Sequence, residues 1–277
     1  MKKTIVLPIA LVFALAMMLF SSCTISIRKI NGNEGGETTR KTYDVGAFSG
    51  IASSVPNANI FYEEADTFSV EVSGNNIVHE FINMSVSDSI LYINFNQDED
   101  YGVTKSEDGR TIKIKGVITS NHDDNINIYI KAPQLSRITC NGGTQFKADK
   151  ITADNTLYVQ SNGAVEFNVG TIEAMSTEIH SNGACEAKIK SLNSKSIIID
   201  SNGAGDIEAD IYNADITDLI TAGGSEYKIN FHGECDKLRI IANGATELTL
   251  NGQINSMEKN IHGAADINMN NLKVNNK

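Results

Sequence analysis

The tetrapeptide SNGA stands at Ser161–Ala164, again at Ser181–Ala184 and again at Ser201–Ala204. Aligned on its asparagine, it belongs to a longer series. The members are CNGGTQF from Cys140, SNGAVEF from Ser161, SNGACEA from Ser181, SNGAGDI from Ser201, TAGGSEY from Thr221, ANGATEL from Ala242 and IHGAADI from Ile261. The asparagine position falls at 141, 162, 182, 202, 222, 243 and 262, in steps of 21, 20, 20, 20, 21 and 19 residues. So even a period is the signature of a repeat architecture.

Working outward from the turn, apolar residues alternate with polar ones. After it come Phe146/Ala148, Phe167/Val169, Ala187/Ile189, Ile207/Ala209, Tyr227/Ile229, Leu248/Leu250 and Ile267/Met269; before it, pairs such as Leu157/Val159 and Ile197/Ile199. Period-two alternation marks half-buried strands. A third apolar point follows the first four turns, at Ile151, Ile172, Leu192 and Tyr212. Three short strands per repeat leave no room for a helix. The expected fold is all-β: a right-handed parallel β-helix, or solenoid, of about 20 residues per coil, the hand following from the crossover rule.

In such a stack equivalent positions lie over one another. Asn141, Asn162, Asn182, Asn202 and Asn243 then form a column whose amides can bond from coil to coil. The next residue is always glycine, including Gly163, Gly183, Gly203 and Gly244, as a turn at positive φ requires. These residues are read as structural corners, with a ligand site on a solvent-facing Asn column as the alternative.

One lane looks chemical. Four residues past the asparagine position stand Gln145, Glu166, Glu186, Asp206, Glu226, Glu247 and Asp266. The six carboxylates could form a cation-binding or partner-binding stripe, since hard cations take several oxygens. The competing reading is a solvated face, with Lys147, Lys188 and Lys228 two residues further on to offset the charge. No metal site or cofactor is expected. The five histidines share no lane, the arginines are scattered, and no Ser/His/Asp or Cys/His arrangement has support from spacing, so no enzyme is expected. The polar loops Asp98–Asp108 and Ser120–Asp124 are further places for specific contacts.

The N-terminus reads as an export signal. Lys2 and Lys3 precede the apolar run Ile5–Phe20, too short to span a bilayer as a helix, and Ser21-Ser22-Cys23 follows. Phe20-Ser21-Ser22-Cys23 resembles a bacterial lipoprotein signal, with Cys23 as the acylated first residue; a plain secretory signal is the alternative. Stable anchoring takes more than one acyl chain, which a triacylated cysteine supplies. The expected organisation is a signal peptide over 1–22, a flexible tether over 23–40 and a β-helix over 41–277. Irregular first coils fill 41–131 and regular ones 132–277. Loss of 1–22 removes Lys2 and Lys3 and no acid, leaving 21 basic against 34 acidic residues, a net charge of −13. Such a surface repels polyanions, so nucleic acid is not an expected partner. Cys140, Cys185 and Cys235 are too few and too irregular for a disulfide framework and are read as core residues.

The body from Tyr43 onward resembles the head GIN-domain family of putative autotransporter adhesins of Bacteroidetes. The resemblance rests on YDVGAFSGIASSVPNANIFYEEADTFSVEVSGNN, then SDSILYINF, then INIYIKAPQLSRITCNGG, then the repeated NGA turns. It implies a β-helical fold and a role in adhesion, and carries over no catalytic or binding residue. The expected protein is a lipid-anchored component of the cell envelope, at the outer membrane. It would act as an adhesin or bind a glycan or protein partner without catalysis. A structural or sensing role and a carbohydrate-active enzyme are the alternatives. Oligomeric state is not legible.

Overall fold

A computed structural model describes residues 22–30, 38–75, 78–96, 102–105, 111–119 and 126–275. Seven long, bent strands form the regular stack: β11 (Arg137–Thr152), β12 (Thr156–Glu173), β13 (Ser176–Asn193), β14 (Ser196–Tyr212), β15 (Ile216–His232), β16 (Lys237–Ile254) and β17 (Ser256–Val274). Each is one coil, parallel to the next and in the register expected from the repeat: Asn141, Asn162, Asn182, Asn202, Ala222, Asn243 and His262 pair in succession. The fold is a β-solenoid whose core is filled by stacked lanes. The lane five residues past the asparagine position runs Phe146, Phe167, Ala187, Ile207, Tyr227, Leu248, and all six are buried. Phe146 and Phe167 stack with ring centroids 5.2 Å apart, and small Ala187 takes the next level. The third apolar lane corrects the sequence reading in one coil. Ile211, not Tyr212, lies over Leu192, because the pairing shifts by one residue between Ile189 and Leu192.

The N-terminal elements are β2 (Thr38–Tyr43), β3 (Gly50–Ser54), β4 (Ala58–Glu64), β5 (Ser69–Asn75), α1 (Val78–Phe81), β6 (Ile82–Ser87), β7 (Ile90–Phe95) and β10 (Ile126–Ala132). β3 and β4 form one coil directly beneath β11, with Ile51 under Ile138 and Ile60 under Phe146. β7 pairs parallel with β3, and β10 pairs parallel with β4, which makes a further coil beneath that one. Spatial order therefore departs from chain order: the coil of residues 50–64 lies between the coil made by β7 and β10 and the coil of β11. Antiparallel strands close this end, β6 on β7, then β5 on β10 with β2 on β5.

At the other end no strand covers the stack among the described residues. The polar stretch Asn271–Val274 pairs with Asn251–Ile254 as the last side of β17. The backbone edge of β17 pairs with no further described strand, and its inward residues Ile267, Met269, Leu272 and Val274 are only partly buried. Its core lane ends on a charge: Val159, Ile179, Ile199, Leu219 and Ile240 are followed by Lys259. A charge in an inward-facing position is a recognised device for blunting a sheet edge.

The chain divides into two compact units, one of residues 37–96 and 125–277, the other of 1–36 and 97–124. In the second, β1 (Ser22–Ile30) pairs parallel with β9 (Thr111–Thr119), and β8 (Gly102–Lys105) pairs antiparallel with β9. The stretch expected as a tether, 23–40, thus contains β1 and the start of β2. The alternating Ile25 and Ile27 are a strand signal that its glycines mask. Most of the signal segment and much of the loops Asp98–Asp108 and Ser120–Asp124 lie outside the described residues, and Cys23 is placed only as a position in β1.

Candidate functional site

The corner comes first, because two walls of the solenoid meet there. Gly142, Gly163, Gly183, Gly203, Gly223, Gly244 and Gly263 all have positive φ, from 85° to 143°. At Gly203 a Cβ would also lie 2.3 Å from the carbonyl oxygen of Gly183 in the coil below, so the stacking itself demands glycine. The residue before each asparagine points inward: Ser161, Ser181, Ser201 and Thr221 are buried. The asparagines point outward. Asn141 and Asn162 are half-buried, and Asn182, Asn202 and Asn243 are exposed. Their amides still bond along the column: Asn182 Nδ2 donates to Asn162 Oδ1 (3.3 Å), Asn162 Nδ2 to Asn141 Oδ1 (2.9 Å) and Asn141 Nδ2 to Ser54 Oγ (3.1 Å). The corner is thus both structural and solvent-facing.

The wall after the corner carries the acidic lane. Glu186, Asp206, Glu226, Glu247 and Asp266 are exposed, and Glu166 is half-buried and accepts from Asn168 Nδ2 at 2.6 Å. In the lane beside it, Glu208 is held between Lys188 Nζ (3.0 Å) and Lys228 Nζ (2.8 Å). The hydrogen bonds from Lys228 and Lys188 keep its carboxyl below the usual range. Among the described residues, no three His, Cys, Asp or Glu side chains come together closely enough to hold a metal ion. The lane has the geometry of a solvated face with lysine counter-charges.

The wall before the corner is different in kind. Four residues before the asparagine position the lane runs Arg137, Tyr158, Glu178, Ile198, Asp218, Arg239; two before it, Thr139, Gln160, His180, Asp200, Ile220, Ile241. Period-two alternation turns both lanes outward, since Val159 and Ser161 on either side of Gln160 face the core. The side chains here are organised. The Arg137 guanidinium lies 4.5 Å from the Tyr158 ring centre, and the His180 ring packs on Tyr158 at 5.1 Å. His180 Nε2 lies 3.5 Å from Glu178, and its Nδ1 lies 3.4 Å from Asp200. Tyr158 OH donates to Gln160 Oε1 (3.4 Å), and Gln160 Nε2 donates to Asn162 Oδ1 (3.3 Å), which joins this wall to the Asn column. Further along, Arg239 clasps the buried carboxylate of Asp218 beside half-exposed Ile198, Ile220 and Ile241.

The sequence reading favoured the acidic lane because one residue type recurs in it. It missed Arg137, Tyr158, Gln160, Glu178, His180 and Asp200 because they are six different residue types, none of which recurs from coil to coil. The available signal was alignment: residues two and four before the asparagine position, taken across β11 to β14, are mostly polar or aromatic. The three cysteines in the stack are free and buried, and burial pushes the Cys140 thiol up to about 12. A thiol so displaced is inert packing, not a nucleophile.

Three solved structures share the architecture. They are a putative adhesin from Bacteroides fragilis (18% identity, 86% of this chain and 99% of that one, TM-score 0.65), one from Parabacteroides distasonis (17%, 87% and 99%, 0.50) and one from Parabacteroides merdae (14%, 87% and 98%, 0.52). Identities this low establish likeness of fold. No curated protein matches the sequence. The profile of one family, described as putative auto-transporter adhesin, head GIN domain, matches residues 47–234, from the strand pair beneath β11 through the end of β15. That span is more than half of the chain and contains five of its seven NGA-type turns, and the chain belongs to this family.

Proposed function

We propose that this chain is a non-catalytic binding protein of the cell envelope. Acyl chains on Cys23 hold it to a membrane, the outer one, and its solenoid engages a glycan or protein partner. The family and its solved Bacteroidetes relatives support an adhesin-like role, and the Phe20–Cys23 motif supports the anchor. The observation that carries the reading is the wall before the corner. It displays ordered, half-exposed polar side chains on a rigid scaffold, so little side-chain freedom remains to be lost on binding.

The test uses a chain lacking residues 1–22 with Cys23 replaced by Ser, immobilised and presented with envelope glycans, host polysaccharides and matrix proteins. Saturable binding without turnover is expected. Cleavage of a polysaccharide would overturn the non-catalytic reading, and absence of saturable binding to all of them would favour a structural role. Anchoring is tested separately in cells: radiolabelled palmitate should enter the wild-type chain and not the Cys23→Ala chain. Equal labelling would remove the lipid anchor.

A further inference from the structure

We propose that the wall of Tyr158, Gln160, Glu178, His180 and Asp200, with the adjoining column Asn141–Asn162–Asn182, is a binding site for a neutral polyhydroxylated chain. That chain is an extended, uncharged glycan lying along the solenoid axis. The inference rests on the reading above and names the site and ligand class.

The unused hydrogen-bonding capacity of the wall supports it. A side-chain amide carries two N–H donors and an oxygen with two lone pairs. Asn141, Asn162 and Asn182 each spend one donor along the column, which fixes the amide planes and leaves a second N–H on each. Beside them, Glu178 and Asp200 keep acceptor oxygens at the surface, with side chains 34% and 37% exposed, and the 27% exposed imidazole of His180 lies between them. Donors and acceptors therefore stand side by side on this wall, two to four residues apart along a coil. That is the pattern needed by vicinal hydroxyl groups, each of which donates and accepts. The asparagine column repeats every ~4.8 Å along the stack, close to the rise of an extended β-linked sugar chain, so successive sugars meet successive coils. From Asn141 to Asp200 the four coils span about 14 Å, the length of a short oligosaccharide.

Charge selects within the glycans. The wall carries the carboxylates of Glu178 and Asp200 against one guanidinium, that of Arg137 over Tyr158, on a mature chain of net charge −13. A uronic or sulfated polymer would meet repulsion here, whereas an uncharged one would not. The Tyr158 ring is flanked by Arg137 and His180, so it acts as a spacer that orients its neighbours and not as a stacking platform for a sugar.

The test is affinity electrophoresis, then calorimetry, of the mature Cys23→Ser chain with soluble β-glucan, xylan and mannan, with alginate and polygalacturonate as acidic comparisons. At least one neutral polymer should retard the wild-type chain. Binding should fall at least tenfold in His180→Ala/Asp200→Ala, with the melting temperature unchanged within about 2 °C. It should persist in Glu186→Gln/Asp206→Gln on the other wall. Equal binding by the His180/Asp200 variant would overturn the site while leaving a binding role intact. Retardation by the acidic polymers alone, or by none, would overturn the ligand class, and the protein arm of the binding test above then decides the broader reading.

Discussion

Arg239 stands one coil above Asp218 and donates from both Nε and Nη2 to its carboxylate, which is 8% exposed although it lies on an outward-facing lane. The arginine is the lid that makes this buried charge tolerable. Removing one partner of such a pair leaves an uncompensated charge, whereas removing both releases the constraint. Arg239→Ala should lower the melting temperature by about 2–4 °C. Asp218→Ala/Arg239→Ala should recover part of the loss. A double variant as unstable as the sum of the single ones would show that the two residues act separately.

The glycine corners should differ in sensitivity. Gly203 combines φ of 143° with a backbone oxygen 2.3 Å from any Cβ, while Gly142 has φ of 85° and nothing within 4 Å of that position. Gly142→Ala carries only the conformational cost, about 1–2 kcal/mol. Gly203→Ala adds displacement of the coil beneath and should cost about 3 kcal/mol or more. Denaturant unfolding of the two variants measures the difference, and equal losses would remove the stacking argument.

The lysine-flanked Glu208 gives a small pH dependence of known sign. Its folded pKa lies below the ordinary 4.5. The pair's contribution is complete above the unfolded value and is lost as pH falls through the depressed folded one. Because the side chain is 36% exposed, screening limits the effect to about 0.5 kcal/mol. Wild type and Glu208→Gln should therefore differ slightly at pH 7 and converge as the pH falls through the folded value. A difference that grows on acidification would reverse the assignment.

Lys259 should govern association at the open end. Lys259→Ile completes the core lane above Ile240 and leaves β17 with an apolar rim and unpaired backbone. Sedimentation should show concentration-dependent oligomers in this variant and none attributable to that end in wild type. A variant that sediments like wild type would mean the edge is blunted by something other than this charge.

The regular coils were legible because each position between Arg137 and Val274 is constrained by the same position about 20 residues away. The repeat reports burial, register and the glycine corners together. The Tyr212 lane was misplaced because one coil drops a residue at a corner that has no repeated sequence mark. The coil of Gly50–Glu64 was harder to read, since its corner is Val55-Pro56-Asn57 and Asn57 supplies the positive φ, 53°, in place of glycine. The candidate site was least legible of all. His180 lies near Tyr158 and Asp200 only through the stacking of three coils, and no local pattern announces a contact made from coil to coil.

The interleaving of the first coils has a consequence for the order in which the molecule can form. Gly50–Glu64 needs Ile90–Phe95 and Ile126–Ala132 on one side and Arg137–Ala148 on the other. A chain emerging from its N-terminus holds an incomplete nucleus until about residue 148 has appeared. Pairings so distant in sequence close slowly. The coils from β12 onward can then add one at a time, each on a finished template. The arrangement delays folding during synthesis and then lets the remainder propagate in one direction.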